Sequence, residues 1–212
     1  MMPAALPLFP LPGVVLFPGT LLPLHIFEPR YRAMVADVLA GERMIGMAMI
    51  DPAGPFGDRP PVLPVGGAGR IVEQERLEDG RFNIILEGTG RFRILGERPS
   101  GPYRIASVDP LPVAGFADPA AEASAIRGAR ALFAELQPAM ELPPLPSEAM
   151  SAERLSGELA LRLRWSPPDL QELLETDALA ERFDAISARL SGWKEAVDFL
   201  HPYRGESNPL SN

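Results

Sequence analysis

Short apolar runs separated by turn residues dominate the first half of the chain. The runs comprise residues 6–9, 14–17, 21–26 and 44–50. Pro-Gly pairs at Pro12-Gly13 and Pro18-Gly19 separate the first three. Apolar runs of this length between Pro and Gly are typical of strands. The pattern therefore predicts a series of short strands that continues to about Val113.

A second group of strands follows from Gly69. Asp79-Gly80 is a hairpin signal between two alternating segments, and a further strand is expected after the Gly-Thr-Gly stretch at 88–90. In that strand Phe92 should face the core, whereas Arg91 and Arg93 should lie on the polar face. The Gly-rich start, residues 65–72, is interpreted as a turn or bulge. Six or more mostly antiparallel strands predict a barrel that is closed or nearly closed, since closure removes exposed edges.

The stretch PLHIFEPRYR, residues 23–32, is interpreted as a joint between a strand and a helix. Glu28 can cap the helix, and Pro29 suits its first position. Apolar residues then recur at helical spacing, at Tyr31, Met34, Val35, Val38 and Leu39. An alternative reading makes His25 and Glu28 an acid–base pair in an enzyme of unrecognised type.

From residue 114 the pattern becomes helical. Helices are predicted after Asp118, Ser151, Ser166 and Asp177, each a capping residue, and the first should end before Pro138. The predicted fold class is α+β: a mostly antiparallel β-barrel with one inserted helix over residues 1–113, and a helical bundle over residues 114–212.

Composition and motifs exclude several kinds of chemistry. The formal net charge of −8 disfavours nucleic acid, and the absence of cysteine removes disulfides and thiolate chemistry. The single lysine, Lys194, follows a tryptophan, so there is no phosphate-binding loop. His25 and His201 lie in different halves without metal-binding spacing, so neither metal nor cofactor is expected.

The N-terminal stretch is apolar, but six prolines within residues 3–23 interrupt it, and it has no basic first segment. It is therefore unlike a signal peptide or a membrane-spanning helix. We expect a cytoplasmic protein that does not associate with membranes. No sequence signal fixes its oligomeric state.

Three segments resemble the N-terminal domain of the Lon protease family. They are LPLFPLPGVVLFPGTLLPLHIFEPRYRAMV, GGAGRIVEQERLEDGRFNIILEGTGRFRI and, more loosely, LALRLRWSPPDLQELLETDALAERFDAI. The resemblance covers most of residues 6–190, and the PLHIFEPRYR form is similar to the stand-alone bacterial members. It implies a PUA-like barrel followed by helices, and a role in recognising polypeptide substrates. It also implies a chain without the ATPase and Ser-Lys peptidase modules of Lon, hence not an ATP-dependent protease.

We therefore expect a non-enzymatic module that binds unfolded or exposed apolar polypeptide segments and is linked to proteolysis or protein quality control. A partner protease or chaperone is expected to supply further contacts. The groove between barrel and helices is the expected location. Core packing is the alternative role for each aromatic residue, and solvated surface for each arginine. RNA binding, by analogy with PUA domains, is a further alternative. The candidate peptide-binding residues are Phe17, Phe27, Glu28, Tyr31, Arg91 and Arg93.

Overall fold

The structure, a computed structural model, describes residues 2–55, 57–98 and 101–200, so His201 lies outside it. Within these residues the chain forms a mixed α+β fold with six strands and five helices. The strands are β1 (Ala5–Leu11), β2 (Leu21–Ile26), β3 (Met44–Met49), β4 (Val65–Arg76), β5 (Phe82–Arg98) and β6 (Arg104–Leu111). The helices are α1 (Pro29–Leu39), α2 (Pro119–Met140), α3 (Ala152–Arg162), α4 (Pro167–Glu175) and α5 (Leu179–Leu200).

The strands form one sheet in the order β2-β5-β4-β3-β1-β6, and β6 also pairs with β5. The pairings β5-β4-β3-β1-β6-β5 therefore make a closed circuit. Only β1 and β3 pair in parallel; the other pairings are antiparallel. Strand β2 lies outside the circuit at the end of the sheet, where it pairs with β5.

Two segments differ from the predicted strands. Residues 82–98 form one long strand rather than two, because the chain stays paired with β4 through Gly88 and Gly90. Residues 14–17 form no strand. Instead, this segment crosses the sheet so closely that a Cβ at Gly67 would overlap the Leu16 carbonyl oxygen, and one at Gly88 that of Phe17. The glycines thus permit a close backbone approach.

The hydrophobic core has two parts near the sheet. Helix α1 buries its predicted apolar stripe, including Met34 and Val35, against Phe9 and the inner residues of β4 and β5. A second cluster centres on Phe92, which lies over Gly46 and Gly66. Because these two positions have no side chain, the large ring fits between neighbouring strands.

The chain divides into two compact units. The first runs to Val113 and also includes Trp165–Asp177, and the second contains Ala114–Arg164 and the chain from Ala178 onward. Helix α4 therefore belongs with the strands, although the sequence pattern grouped it with the other helices. One reason is Gln171, whose amide Nε2 donates to the Val65 carbonyl oxygen at 2.9 Å.

Helices α2, α3 and α5 make up the second unit. Asp118 and Ser151 cap α2 and α3 as predicted, through bonds from Ala120 N and Arg154 N. The predicted stop before Pro138 is wrong, because α2 continues to Met140. A proline so near the end removes only one of the last backbone bonds, so the helix tolerates it.

Candidate recognition surface

The outer face of β2 presents a row of exposed residues. Alternation along the strand turns Leu21, Pro23 and His25 outward while Ile26 is buried, and Phe27, the residue after β2, is exposed as well. Leu21 is 54% exposed and Phe27 60% exposed, values that are unusual for large apolar side chains. The rings of His25 and Phe27 stack with centroids 6.2 Å apart. We call these four residues the β2 row.

The backbone of β2 is unpaired along one edge. Among the described strands, β2 pairs with β5 alone. The Gly88 N–H donates to the Thr20 carbonyl oxygen at 2.9 Å, so Thr20 turns its backbone groups towards β5. Because successive residues alternate in direction, the even-numbered residues of β2 bond to β5 and the odd-numbered residues turn their backbone groups to the open edge. Pro23 lies on the open side, where its missing N–H costs no sheet bond.

A polar network crosses three strands below the β2 row. His25 Nδ1 lies 2.7 Å from Asn83 Oδ1, and Asn83 Nδ2 donates to Glu75 Oε2 at 2.8 Å. Arg81 Nη1 lies 3.2 Å from His25 Nε2. Because a guanidinium can only donate, Nε2 accepts and Nδ1 carries the proton. The network therefore fixes the orientation of the His25 ring.

The turn before β5 holds Arg81 in this network. Arg81 Nε donates to Asp79 Oδ2 at 2.6 Å, and its backbone N–H donates to Asp79 Oδ1 at 3.0 Å. The backbone bond from Arg81 is the main cause that lowers the pKa of Asp79. Asp79 therefore remains an anion that orients Arg81 towards His25.

A shallow depression of about 520 Å³ lies on this face, lined by residues of β2, β4 and β5 that include Pro23, His25, Glu73, Asn83 and Ile85. The register aligns Pro23 with Ile85 and Ile85 with Glu73. The floor is therefore partly apolar, with carboxylates on the β4 side. Such a surface can accept the alternating side chains of an extended chain.

Three predicted peptide-binding residues are buried, which corrects the prediction for them. Phe17 is 0% exposed, Arg91 1% and Tyr31 5%, so each side chain lies mainly in the protein interior. Phe17 and Tyr31 follow the alternative of core packing. Burial also raises the pKa of Tyr31, while the Arg30 guanidinium lying over its ring partly offsets this.

Arg91 has a structural role in the first unit. Its Nη1 donates to the carbonyl oxygens of Leu174 at 2.7 Å and Thr176 at 3.2 Å. Its Nη2 donates to Pro112 O at 2.8 Å and to Asp177 Oδ1 at 3.0 Å. A cation at the C-terminal end of α4 also stabilises the helix dipole. Asp177, predicted to cap α5, instead accepts from Arg91.

The remaining predicted residues are Phe27, Glu28 and Arg93, and only Phe27 belongs to the β2 row. Glu28 occupies the N-cap position of α1 but makes no capping bond with its side chain. Its carboxylate pairs with Arg30 at 2.9 Å. Arg93 is exposed on β5 and lies ten residues after Asn83. At the rise of an extended strand the two residues are roughly 30 Å apart, so Arg93 lies away from the β2 row.

The proposed acid–base pair is not assembled. His25 bonds to Asn83 and Arg81, and Glu28 bonds to Arg30. The two residues also line different depressions, His25 the one on the sheet face and Glu28 another beside Tyr31. This arrangement does not support the enzyme alternative built on these two groups.

Within residues 2–55, 57–98 and 101–200, no three His, Cys, Asp or Glu side chains are grouped so that they could hold a metal ion. In the same residues no helix is both long and apolar enough to cross a membrane.

Comparison with known proteins relates the chain to Lon proteases. It is 31% identical over 204 residues to the Lon protease of Roseiflexus castenholzii and 29% identical over 192 residues to Lon protease 2 of Sorangium cellulosum. These matches cover 92% and 88% of this chain but 25% and 23% of the relatives. The chain thus spans about a quarter of their length.

Solved structures show the same fold. A Lon N-terminal domain protein from Xanthomonas campestris matches with a TM-score of 0.61 and 26% identity, over 87% of this chain and 97% of that one. The N-terminal domain of a Mycobacterium avium complex Lon protease matches with a TM-score of 0.66 and 20% identity, over 88% and 98%. The fold is therefore that of Lon N-terminal domains.

Residues 5–191 match the family described as the ATP-dependent protease La (LON) substrate-binding domain. The chain belongs to this family. The family description names a substrate-binding domain rather than a catalytic one, which supports a substrate-recognition role linked to proteolysis.

The β2 row was missed as a unit by sequence reasoning. The run 21–26 looks like a buried strand because Leu21, Leu22 and Leu24 are all apolar. The signal lay in the alternate positions, where Pro23 indicates an edge strand and His25 a polar face. Phe27 was singled out, but as part of a set that the structure does not bring together.

Proposed function

We propose that the chain is a non-enzymatic recognition module that binds extended apolar polypeptide segments along β2. The observation that carries the proposal is the unpaired edge of β2 beside the exposed β2 row. An extended peptide can add a strand there, with its backbone bonding to the odd-numbered residues of β2. Its apolar side chains would contact Leu21, Pro23 and Phe27.

Two further features belong to the proposal. We propose that the closed circuit of strands is a PUA-like barrel and that the three helices of the second unit are the helical bundle that the resemblance implies. A partner protease or chaperone would supply further contacts, because a single shallow site gives a Kd of about 10–100 μM, roughly −5.5 to −7 kcal/mol.

The expected contribution of Phe27 can be bounded from its exposure. Full burial of a phenylalanine side chain contributes about 1.5–3 kcal/mol. Because 60% of Phe27 is still exposed, roughly 1–2 kcal/mol is available on binding. Phe27→Ala should therefore raise Kd by about five- to thirtyfold.

The test is a fluorescence anisotropy titration of the protein with labelled extended apolar peptides. Leu95→Ala is the matched control, because Leu95 is 65% exposed on β5 and lies outside the β2 row. Equal Kd values for the wild type, Phe27→Ala and Leu95→Ala would reject the site. Absence of binding at several hundred micromolar protein would reject the free-standing peptide binder.

A second pair of peptides tests strand addition itself. In each, alternate backbone nitrogens are methylated, in one peptide on the edge that faces β2 and in the other on the opposite edge. Methylation removes a backbone donor, so we expect only the first pattern to abolish binding. Equal binding of both would mean that side chains alone hold the peptide.

A further inference from the structure

A second concave surface, away from the β2 row, lies beside α4. It encloses about 670 Å³, a volume in the usual range of ligand sites. The loop after β1, the end of β3 with the loop that follows, and one face of α4 form its walls, all within the first unit. We call it the α4 cleft. Its lining includes Ile50, Asp51, Leu63, Gln171, Glu172 and Glu175.

The walls of the α4 cleft are apolar and stiff. Six of the lining residues are prolines, contributed by the loops around β1 and β3 and by the start of α4. A proline ring has a fixed φ and little side-chain entropy to lose, so a cleft made of such rings is already shaped before a ligand enters. Flat apolar groups, such as aromatic side chains, suit these walls.

The charged groups that line the α4 cleft are all carboxylates without a cationic partner. Asp51, Glu172 and Glu175 line it, and no lysine or arginine does. Within the described residues none of the three forms an ion pair; Asp51 accepts from the Ala53 backbone N–H, and Glu175 from Gln171. The cleft therefore combines an apolar interior with uncompensated negative charge.

Gln171 adds one further acceptor to the α4 cleft. It is 5% exposed, and its amide nitrogen donates to Val65 O at 2.9 Å and to Glu175 Oε1 at 2.7 Å. These two bonds fix the amide orientation, since only the nitrogen can donate. Its Oε1 receives no hydrogen bond from a described residue. Because Nε2 is already bonded, Oε1 is the group of this amide that can accept a hydrogen bond from a ligand.

We infer that the α4 cleft binds a polypeptide segment in which an aromatic side chain stands next to an arginine or lysine. The aromatic ring enters between the proline rings. The cation meets Asp51, Glu172 and Glu175, and a donor of the segment bonds to Gln171 Oε1. The inference rests on the proposed function only in taking the ligand to be a polypeptide; its site shares no residue with the β2 row.

The test uses the whole chain and three labelled peptides that differ only at the centre, with Trp-Arg, Trp-Glu or Ala-Arg. We expect the Trp-Arg peptide to bind at least about fivefold more tightly than either of the others. The rim variant Glu172→Lys/Glu175→Lys should weaken Trp-Arg binding by about fivefold or more. Glu172→Gln tests the charge with less disturbance, since Glu172 is exposed and Gln preserves helix propensity.

Glu195→Lys is the matched control, because Glu195 is also an exposed glutamate within a helix, on α5. It should leave Kd unchanged. Methyl NMR on the wild type gives the location: the Trp-Arg peptide should shift the signals of Ile50 and Leu63, which line the α4 cleft.

The outcomes separate this inference from the proposed function. The inference would be overturned if the Trp-Arg peptide bound the wild type, Glu172→Lys/Glu175→Lys and Glu172→Gln equally well. It would also be overturned if the peptide did not bind to about 1 mM protein, a Kd limit of roughly −4 kcal/mol. Trp-Arg binding that Phe27→Ala weakens and the rim variants do not would assign the peptide to the β2 row and also overturn it. Weaker binding of uncharged apolar peptides to Phe27→Ala concerns the β2 row alone and leaves the α4 cleft untested by those peptides.

Discussion

Replacing Arg91 by alanine should strongly destabilise the first unit. The guanidinium donates four hydrogen bonds, two of them to carbonyl oxygens at the end of α4 and one to Pro112 O. Removing it takes one donor from the buried Leu174 carbonyl oxygen and one each from the part-buried oxygens of Thr176 and Pro112, at about 1–3 kcal/mol for each group that water cannot reach. Water can reach Asp177, whose side chain is 71% exposed, so the fourth bond contributes less.

The expected cost of Arg91→Ala is therefore roughly 3–5 kcal/mol, a large part of the 5–15 kcal/mol that stabilises an ordinary domain. Urea unfolding followed by circular dichroism measures it. Arg93→Ala is the matched control on the same strand; Arg93 is exposed and should change stability by less than about 0.5 kcal/mol. Hydrogen exchange should show α4 opening first in Arg91→Ala. A loss below about 1 kcal/mol, or one equal to that of Arg93→Ala, would refute the structural role of Arg91.

Two further predictions concern a close backbone approach and a tyrosine. Gly88→Ala should destabilise the protein by more than about 2 kcal/mol, because the added Cβ would overlap the Phe17 carbonyl oxygen. Gly96→Ala on the same strand is the control, since a Cβ there meets nothing within 4 Å. Similar melting temperatures of the two variants would contradict the prediction. Burial and a 2.7 Å hydrogen bond to Asp37 raise the pKa of Tyr103 to about 12 from the usual 10. The protonated Tyr103 hydroxyl therefore contributes fully to stability below pH 10, and its contribution is lost as pH rises through 12. The stability difference between wild type and Tyr103→Phe should therefore narrow between pH 10 and 12 in urea titrations, and a difference that is constant to pH 12 would oppose the assignment.

Helix starts were predictable because each depends on neighbouring residues. Asp118, Ser151 and Ser166 accept bonds from the first turn of their helices, as the capping pattern indicates. The stripe of α1 was equally local. The hairpin at Asp79-Gly80 also forms, with Gly80 at φ 80°.

The errors at Arg91, at residues 14–17 and in the grouping of α4 have a different cause, since each depends on residues far away in sequence. Nothing in the sequence near Arg91 indicates that the end of α4 packs beside it. The Leu174 carbonyl oxygen that Arg91 contacts lies 83 residues later in the chain. From the sequence alone, Gly67 and Gly88 are typical of strand interruptions. Their role is seen only in the structure, where residues 14–17 pass directly over them. The α4 cleft joins loops from three parts of the chain, so no contiguous motif could predict it.

The central claim, that an extended polypeptide pairs with the open edge of β2, is tested most directly by amide hydrogen exchange. The wild type would be measured alone and saturated with an apolar peptide, residue by residue. The outward-facing amides of Leu21 and His25 should gain protection, because each would donate to the added strand, while the amide of Glu195 within α5 should not change. Saturated peptide with no added protection at Leu21 and His25 would contradict strand addition at β2.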